Sequence, residues 1–291
     1  GTHVITAAVH THSAMSARGE NALQIGQKLD AYQQFLARRM ADGVHRATNH
    51  LTPARIGWGR GELPGQVFNR RWFTRSEADR RNPFGGVDGV RMNPSFASPD
   101  LIEPAGPIDP EILFFSVQTA EGRPLALLAN YSLHYVGEAR AGDVSADYFA
   151  YFADSMQRML GADRMDPAFV GILTNGASGD INNYDFGVRR KKHQPYEKMQ
   201  LVANQVATEV YQACQTLKYQ DWIELKIAYR ELPVATRRPT PEMAARARAL
   251  LARPATASPY HVRERFYAER TLEIVNRQAT IRYPEIVEVD V

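Results

Sequence analysis

A single cysteine, Cys214, stands among 291 residues. An internal disulfide and a cysteine-pair metal site are therefore excluded, since both need at least two thiols. A lone thiol suits either side of a membrane and leaves the compartment open. Cys214 falls in a helical pattern with Val206, Val210 and Leu217, which makes it a core residue. Apolar runs of bilayer length are also lacking. So is an excess of one charge: 35 Lys and Arg against 32 Asp and Glu leave +3, too little to imply nucleic acid or an anionic membrane as partner. The one concentrated run, Arg189-Arg190-Lys191-Lys192-His193, is a solvated loop or an anion contact. Neither RNP-like aromatics nor a recognition-helix pattern accompanies it, so nucleic-acid binding is rejected. No secretory leader opens the chain, but Gly1 leads almost directly into an apolar run. The sequence is thus expected to be incomplete at both ends.

What is present is a mixture of short apolar strands and amphipathic helices. Val4 to Val9 is β-branched and apolar and predicts a buried strand. Leu29, Tyr32, Leu36, Met40 and Val44 recur at helical spacing, predicting one buried face. Leu51 to Asp109 is rich in Pro, Gly, Asn and Arg with little periodicity; a long irregular stretch of that kind is more often functional than idle. Ile112 to Thr119 and Leu125 to Tyr131 predict two strands around a Glu121-Gly122-Arg123-Pro124 turn. A helix follows over Tyr148 to Leu160 with Gly161 as its stop, then a strand over Phe169 to Thr174. Pro195 to Leu217 predicts a helix and Ile223 to Glu231 a strand. Thr240-Pro241-Glu242 starts another helix that runs to Ala252, and Val262 to Asn276 a further one. These two form a helical excursion over 235–280, expected as a hairpin outside the sheet. The fold class is α/β or α+β, a single layered domain over 1–291 with a mixed sheet flanked by helices.

Polar groups collect where the predicted strands run out. On a strand, His10 and His12 would project to the same face, roughly 7 Å apart at the backbone. That spacing suits two ligands of one metal, or one ligand and one substrate contact. The alternative is two strand-end side chains satisfied by neighbouring backbone. His134, in Asn130-Tyr131-Ser132-Leu133-His134-Tyr135, can reach the same sheet edge or serve structure alone. In Gly142-Asp143-Val144-Ser145-Ala146-Asp147, either Ser145 or Asp147 can cap the following helix. The loop Thr174-Asn175-Gly176-Ala177-Ser178-Gly179-Asp180-Ile181-Asn182-Asn183 is an Asx-rich turn or a site loop. It lacks the GxSxG of a nucleophile elbow.

Four of these features, His10-Thr11-His12-Ser13, Asn69-Arg70, Val117 through His134 and Gly179-Asp180-Ile181-Asn182-Asn183, together resemble the catalytic domain of neutral/alkaline non-lysosomal ceramidases. The likeness spans roughly Val4 to Asn183, with the motifs in the family's order, and the Arg/Ala-rich remainder resembles a bacterial ceramidase-like branch. The resemblance implies that His10 and His134 bind zinc and that His12 faces the scissile carbonyl. It also implies that Arg70, beside Asn69, holds the substrate's polar head. The family's other two zinc ligands, a glutamate and a tyrosine, would come from beyond Val291. Secretion or a periplasmic location is implied in the same way.

Two departures bear on chemistry. Asn182 stands where the family has a serine, and an amide cannot act as nucleophile, though it can donate to an oxyanion. The segment Asn69-Arg70-Arg71-Trp72 lacks the family's Ser-Pro, so head-group recognition is expected to differ. The expected activity is zinc-dependent hydrolysis of an amide bond in an N-acylated, ceramide-like or other lipid substrate. In it, metal-activated water attacks, and His12, Asn182 and Asp180 are the catalytic side chains. Asp180 or Asp143 would orient a ligand histidine. Aromatic residues such as Trp72, Phe73, Phe84, Tyr135 and Tyr148 would line an apolar trench or belong to the core, and Tyr135 is the one assigned to substrate. The alternatives are a metal-dependent esterase acting on a non-lipid substrate and a binding module that keeps the scaffold without the chemistry.

Overall fold

The computed structural model describes residues 5–15, 17, 29–226, 228, 231–235, 238–254, 256–280 and 286–290. In chain order these form α1 (Ala31–Asn49), β1 (Ala54–Glu62), β2 (Phe68–Asn69), β3 (Arg71–Thr74), β4 (Arg91–Met92), β5 (Leu101–Pro104), β6 (Glu111–Thr119) and β7 (Pro124–Tyr131). Then follow α2 (Tyr148–Met159), β8 (Val170–Asn175), β9 (Ile181–Asn182), α3 (Glu197–Cys214), β10 (Glu231–Ala235), α4 (Pro241–Leu251), α5 (Glu264–Thr280) and β11 (Ile286–Asp290). Two compact units result. The larger comprises Thr6–Asn69 and Pro107–Glu224, and the smaller includes Arg70–Gly106 and Leu225–Val291.

The larger unit is built on a four-stranded mixed sheet in the order β1-β6-β7-β8. The pairs β1–β6 and β6–β7 are antiparallel, whereas β7 and β8 are parallel. Parallel neighbours need a crossover, and α2 supplies it. Alternation along β6 and β7 sends Ile112, Phe114, Leu127, Ala129 and Tyr131 to one face. There they meet Phe152 and Met156 of α2 and Met199, Val202 and Val206 of α3 in a fully buried core. On the opposite face Trp58, Leu113, Phe115, Val170 and Ile172 remain exposed among the described residues. The turn between β6 and β7 closes as expected, with Gly122 at φ +88° donating to the Thr119 carbonyl.

Several sequence expectations are corrected here. Of the segment Val4 to Val9, Val4 lies outside the described residues and 5–9 is not a strand. It is an irregular stretch. Helix α1 forms, capped by Asp30 and Gln33 in reciprocal hydrogen bonds, but buries no residue. Its Met40 and Val44 are more than half exposed, so the apolar spacing reports helix formation without packing. No strand covers the described residues 223–226 and 228; pairing begins only at Glu231. The stretch from Leu51 to Asp109, read as irregular, contains the nine-residue strand β1. Glycines at every second position of β1 hid it, because its helix-facing side carries no apolar side chain. A Cβ at Gly59 would stand 2.9 Å from the Phe114 ring and 3.0 Å from Leu217. The bare backbone lets the chain just after α3 close over the sheet.

The smaller unit has a three-stranded antiparallel sheet ordered β4-β3-β5 and the antiparallel pair β10–β11. Its α4 and α5 pack through Ala247, Leu250 and Ala268. Thr240 caps α4 through the Met243 N–H, with Pro241 in the first turn, which matches the sequence reading of a helical hairpin start. In the larger unit Cys214 ends α3, and burial pushes its thiol up to about 12. No helix among the described residues is long and apolar enough to cross a membrane.

With Phe152 fully buried between sheet and helices, Phe152→Ala is expected to cost about 3–5 kcal/mol in denaturant unfolding. Val44→Ala on α1 changes it by about 0.5 kcal/mol or less.

Candidate metal centre

The carboxyl ends of β7 and β8 bring the chemistry-bearing segments together. In sheets with parallel strands this edge is where ligands bind. Beyond β7 the chain turns tightly: the Tyr131 carbonyl accepts from both Leu133 N–H (2.9 Å) and Gly176 N–H (3.0 Å). Three residues past the strand comes His134, 8% exposed. Its Nδ1 faces the Ser178 carbonyl at 2.8 Å. A carbonyl only accepts, so Nδ1 carries the proton and Nε2 is left as a lone-pair donor.

The histidine pair reaches this edge without a strand. The Val9 carbonyl accepts from Asn175 Nδ2, at the end of β8 (3.0 Å). Thr11 Oγ1 donates to the Ser145 carbonyl (2.9 Å), and Ser145 N–H donates to the Ser13 carbonyl (2.8 Å). Between these tethers His10 adopts φ +56°, a left-handed turn uncommon for a residue bearing a Cβ. The result places His10 and His12 Nε2 atoms 3.0 Å apart and their ring centroids at 4.7 Å. The His10 and His134 rings are likewise 4.7 Å apart. One ligating nitrogen from each of the three lies within 4.8 Å of the others. His10 and His12 are exposed and His134 is buried, so the cluster opens to solvent on one side. Tyr135 stacks on His12 at 3.6 Å with planes 16° apart.

A buried carboxylate sets this segment. Asp147 is 1% exposed and accepts from Val136 N–H (2.9 Å), Gly137 N–H (2.8 Å) and Tyr148 N–H (2.7 Å). It is at once the cap of α2 and the clasp on the residues that follow His134. Burial raises its pKa, opposed by the three backbone N–H groups and by the charge of His12. Its φ of +58° is a second strained position beside the cluster. Sequence left Asp147 and Ser145 as alternative caps; the structure gives the cap to Asp147, with Ser145 Oγ accepting its N–H. No sequence signal marked Asn175 as the tether of Val9, or the Ser178 carbonyl as the partner of His134.

The other expected site residues fall in two places. Asn69 is buried and donates to Asp180 Oδ2 (3.3 Å) and to the Pro107 carbonyl (3.2 Å). Asn182 pairs with Phe68 across β2 and β9, and its Oδ1 accepts from Tyr184 N–H (3.2 Å) in an Asx turn. Asn183 Nδ2 reaches the Val136 carbonyl (3.4 Å), tying this loop to the His134 segment. The carboxylates expected to orient a histidine are engaged elsewhere, Asp180 with Asn69 and Asp143 with the Tyr196 hydroxyl. A main-chain carbonyl does the orienting. Arg70 belongs to the smaller unit, half-buried, its carbonyl accepting from Asn93 N–H.

Imidazole nitrogens from three histidines are a donor set suited to zinc and to other first-row divalent ions, and the tautomer of His134 turns Nε2 to that use. The described residues can hold a metal here. No protein-family model matches the chain, and no curated protein matches it. Among solved structures the chain is similar to a ceramidase complexed with C2, at 16% identity over 67% of this chain and 27% of that one, TM-score 0.43. It is also similar to the neutral ceramidase from Pseudomonas aeruginosa, at 15% identity over 88% of this chain and 41% of that one, TM-score 0.48. The chain spans less than half the length of both.

Removing the clasp leaves three buried N–H groups without an acceptor. Asp147→Ala is expected to cost about 3 kcal/mol in urea unfolding, while Asp143→Ala, exposed, shifts it by about 0.5 kcal/mol or less.

Proposed function

We propose that the protein is a zinc-dependent hydrolase that cleaves the amide bond of an N-acylated, lipid-like substrate. The observation that carries this reading is the convergence of His10, His12 and His134 at one sheet edge, in the order of motifs that resembles the neutral ceramidases. Zinc held by His10 and His134 would supply Lewis acidity, lowering the pKa of water toward neutrality.

The chain's own residues divide the remaining work. His12, steadied by Tyr135 stacked against it, donates to the scissile carbonyl and to the oxyanion that develops on it. Asn182 supplies an amide where a nucleophilic serine would otherwise stand. Its oxygen is bound to the Tyr184 N–H, which leaves the amide N–H groups as the part able to donate. Activated water is therefore the attacking group, and no covalent acyl intermediate forms at that position. Asp180 fixes Asn69, and Arg70, next in sequence, is assigned to the polar head of the substrate. Absence of a serine nucleophile also suits an ester substrate, which the same residues would hydrolyse.

Metal analysis and turnover on a panel of N-acyl lipids, acyl amino acids and esters separate these roles. Wild type is expected to bind one zinc per chain and to release fatty acid from at least one N-acyl substrate. His10→Ala and His134→Ala lose the metal and all measurable turnover. His12→Ala keeps the metal and lowers kcat by about 10²–10³-fold. Full metal occupancy in both His10→Ala and His134→Ala would sink the assignment. Turnover confined to esters would move the substrate class.

A further inference from the structure

Apart from Arg70, the catalytic reading uses nothing of the smaller unit, yet that unit holds a basic cavity. The 79–93 segment and the start of α5 enclose an open space of about 480 Å³, within the ~300–1,000 Å³ typical of sites for small organic ligands. Arg80, Arg81, Arg91, Arg263, His261 and Tyr267 line it. Asp79 and Asp88 are its only carboxylates, so four arginines against two aspartates leave the wall at +2 with His261 neutral.

Three of the arginines are held by backbone or by a ring face, not by acids. Arg91 Nη1 donates to the Asp79 carbonyl at 2.8 Å. Arg80 Nη1 reaches the carbonyls of Asp88 and Gly89, both at 3.4 Å. Arg81 lies over the Tyr260 ring, 5.0 Å from its centroid, and the Tyr260 hydroxyl is anchored on the Gly86 carbonyl (3.2 Å). The Asp88 carboxylate is taken by Asn82 Nδ2 at 2.8 Å. Among the described residues none of the four guanidinium groups forms an ion pair. Each has five N–H donors, far more than these contacts use. Main-chain carbonyls thus orient Arg80 and Arg91, and a ring face orients Arg81, without neutralising them, and the groups are left with donors to spare around one cavity.

We propose that this cavity binds a small organic phosphate. A phosphate group brings three acceptor oxygens and a charge near −2, and guanidinium forks match that geometry in bidentate fashion. The cavity is much larger than a bare phosphate ion, and Tyr267 and the half-exposed Met92 offer an apolar wall for an organic body. The ligand class is therefore a phosphomonoester with an apolar or aromatic part. The site is independent of the histidine cluster and of the activity assigned to it.

Calorimetric titration of the full chain with phenyl phosphate tests this. The expected result is saturable binding of one equivalent, tighter than inorganic phosphate, with no uptake of neutral benzyl alcohol. The double variant Arg81→Gln/Arg263→Gln, in which neither side chain carries a main-chain contact that shapes the cavity, should bind at least tenfold more weakly. Its unliganded melting midpoint should stay that of wild type. His134→Ala should bind as wild type does; loss of binding there would place the anion on the histidine cluster and overturn the proposal. It is equally overturned by no saturable uptake in wild type, by unchanged affinity in the double variant, or by attachment to anionic vesicles without uptake of the soluble ester.

Discussion

The buried carboxylate of Asp147 is the interaction on which the rest of the candidate centre depends. One side chain answers three donors, two from the strand-exit segment after His134 and one from the first turn of α2. Helix, loop and histidine are thereby held in one piece. The cost is visible in two places: a carboxylate taken out of water and a backbone at φ +58°. Such strain persists only where surrounding contacts over-determine it, and here Ser145 secures the same residue from behind. Ser145 also grips the His10–His12 segment through its own carbonyl and N–H. Strain at Asp147 and strain at His10 thus belong to one connected network.

How much of this the amino-acid sequence discloses depends on the range of the interactions involved. Strands β6 and β7 announce themselves because their alternation is local and one face is buried. The α4 start is equally plain, since cap and proline act within one turn. Strand β1 escapes because Gly57, Gly59 and Gly61 occupy the positions where apolar residues would mark an inward face, and the reason for glycine there lies more than a hundred residues away, at Leu217 and Tyr219. Val4 to Val9 misleads in the opposite sense. Its β-branched composition suits a strand, but the described part is fastened by side chains of Asn175 and Thr11 instead of by a ladder.

The same distinction separates the two layers of the metal-type cluster. His10, His12 and His134 are legible as candidates from residue type, spacing and motif order. The groups that aim them are not. A carbonyl of Ser178 or an amide of Asn175 carries no signature of its function, because any residue has the first and many turns have the second. Carboxylates such as Asp143 and Asp180 attract attention as orienting groups, and in the folded chain they serve Tyr196 and Asn69. The basic cavity of the smaller unit was invisible for a related reason. Its arginines are scattered over Arg80 to Arg263 and look like ordinary solvated charges until α5 brings them to one wall.

The lone thiol at the end of α3 has a consequence of its own. Burial holds Cys214 protonated far above neutral pH, and only the thiolate reacts. The folded chain is therefore slow to react with alkylating and oxidising reagents at its one sulfhydryl near neutral pH. Reactivity rises when the last turn of α3 lifts from the core, so the rate of labelling responds to openings of that helix end. A single cysteine in this position makes labelling a probe of that helix end.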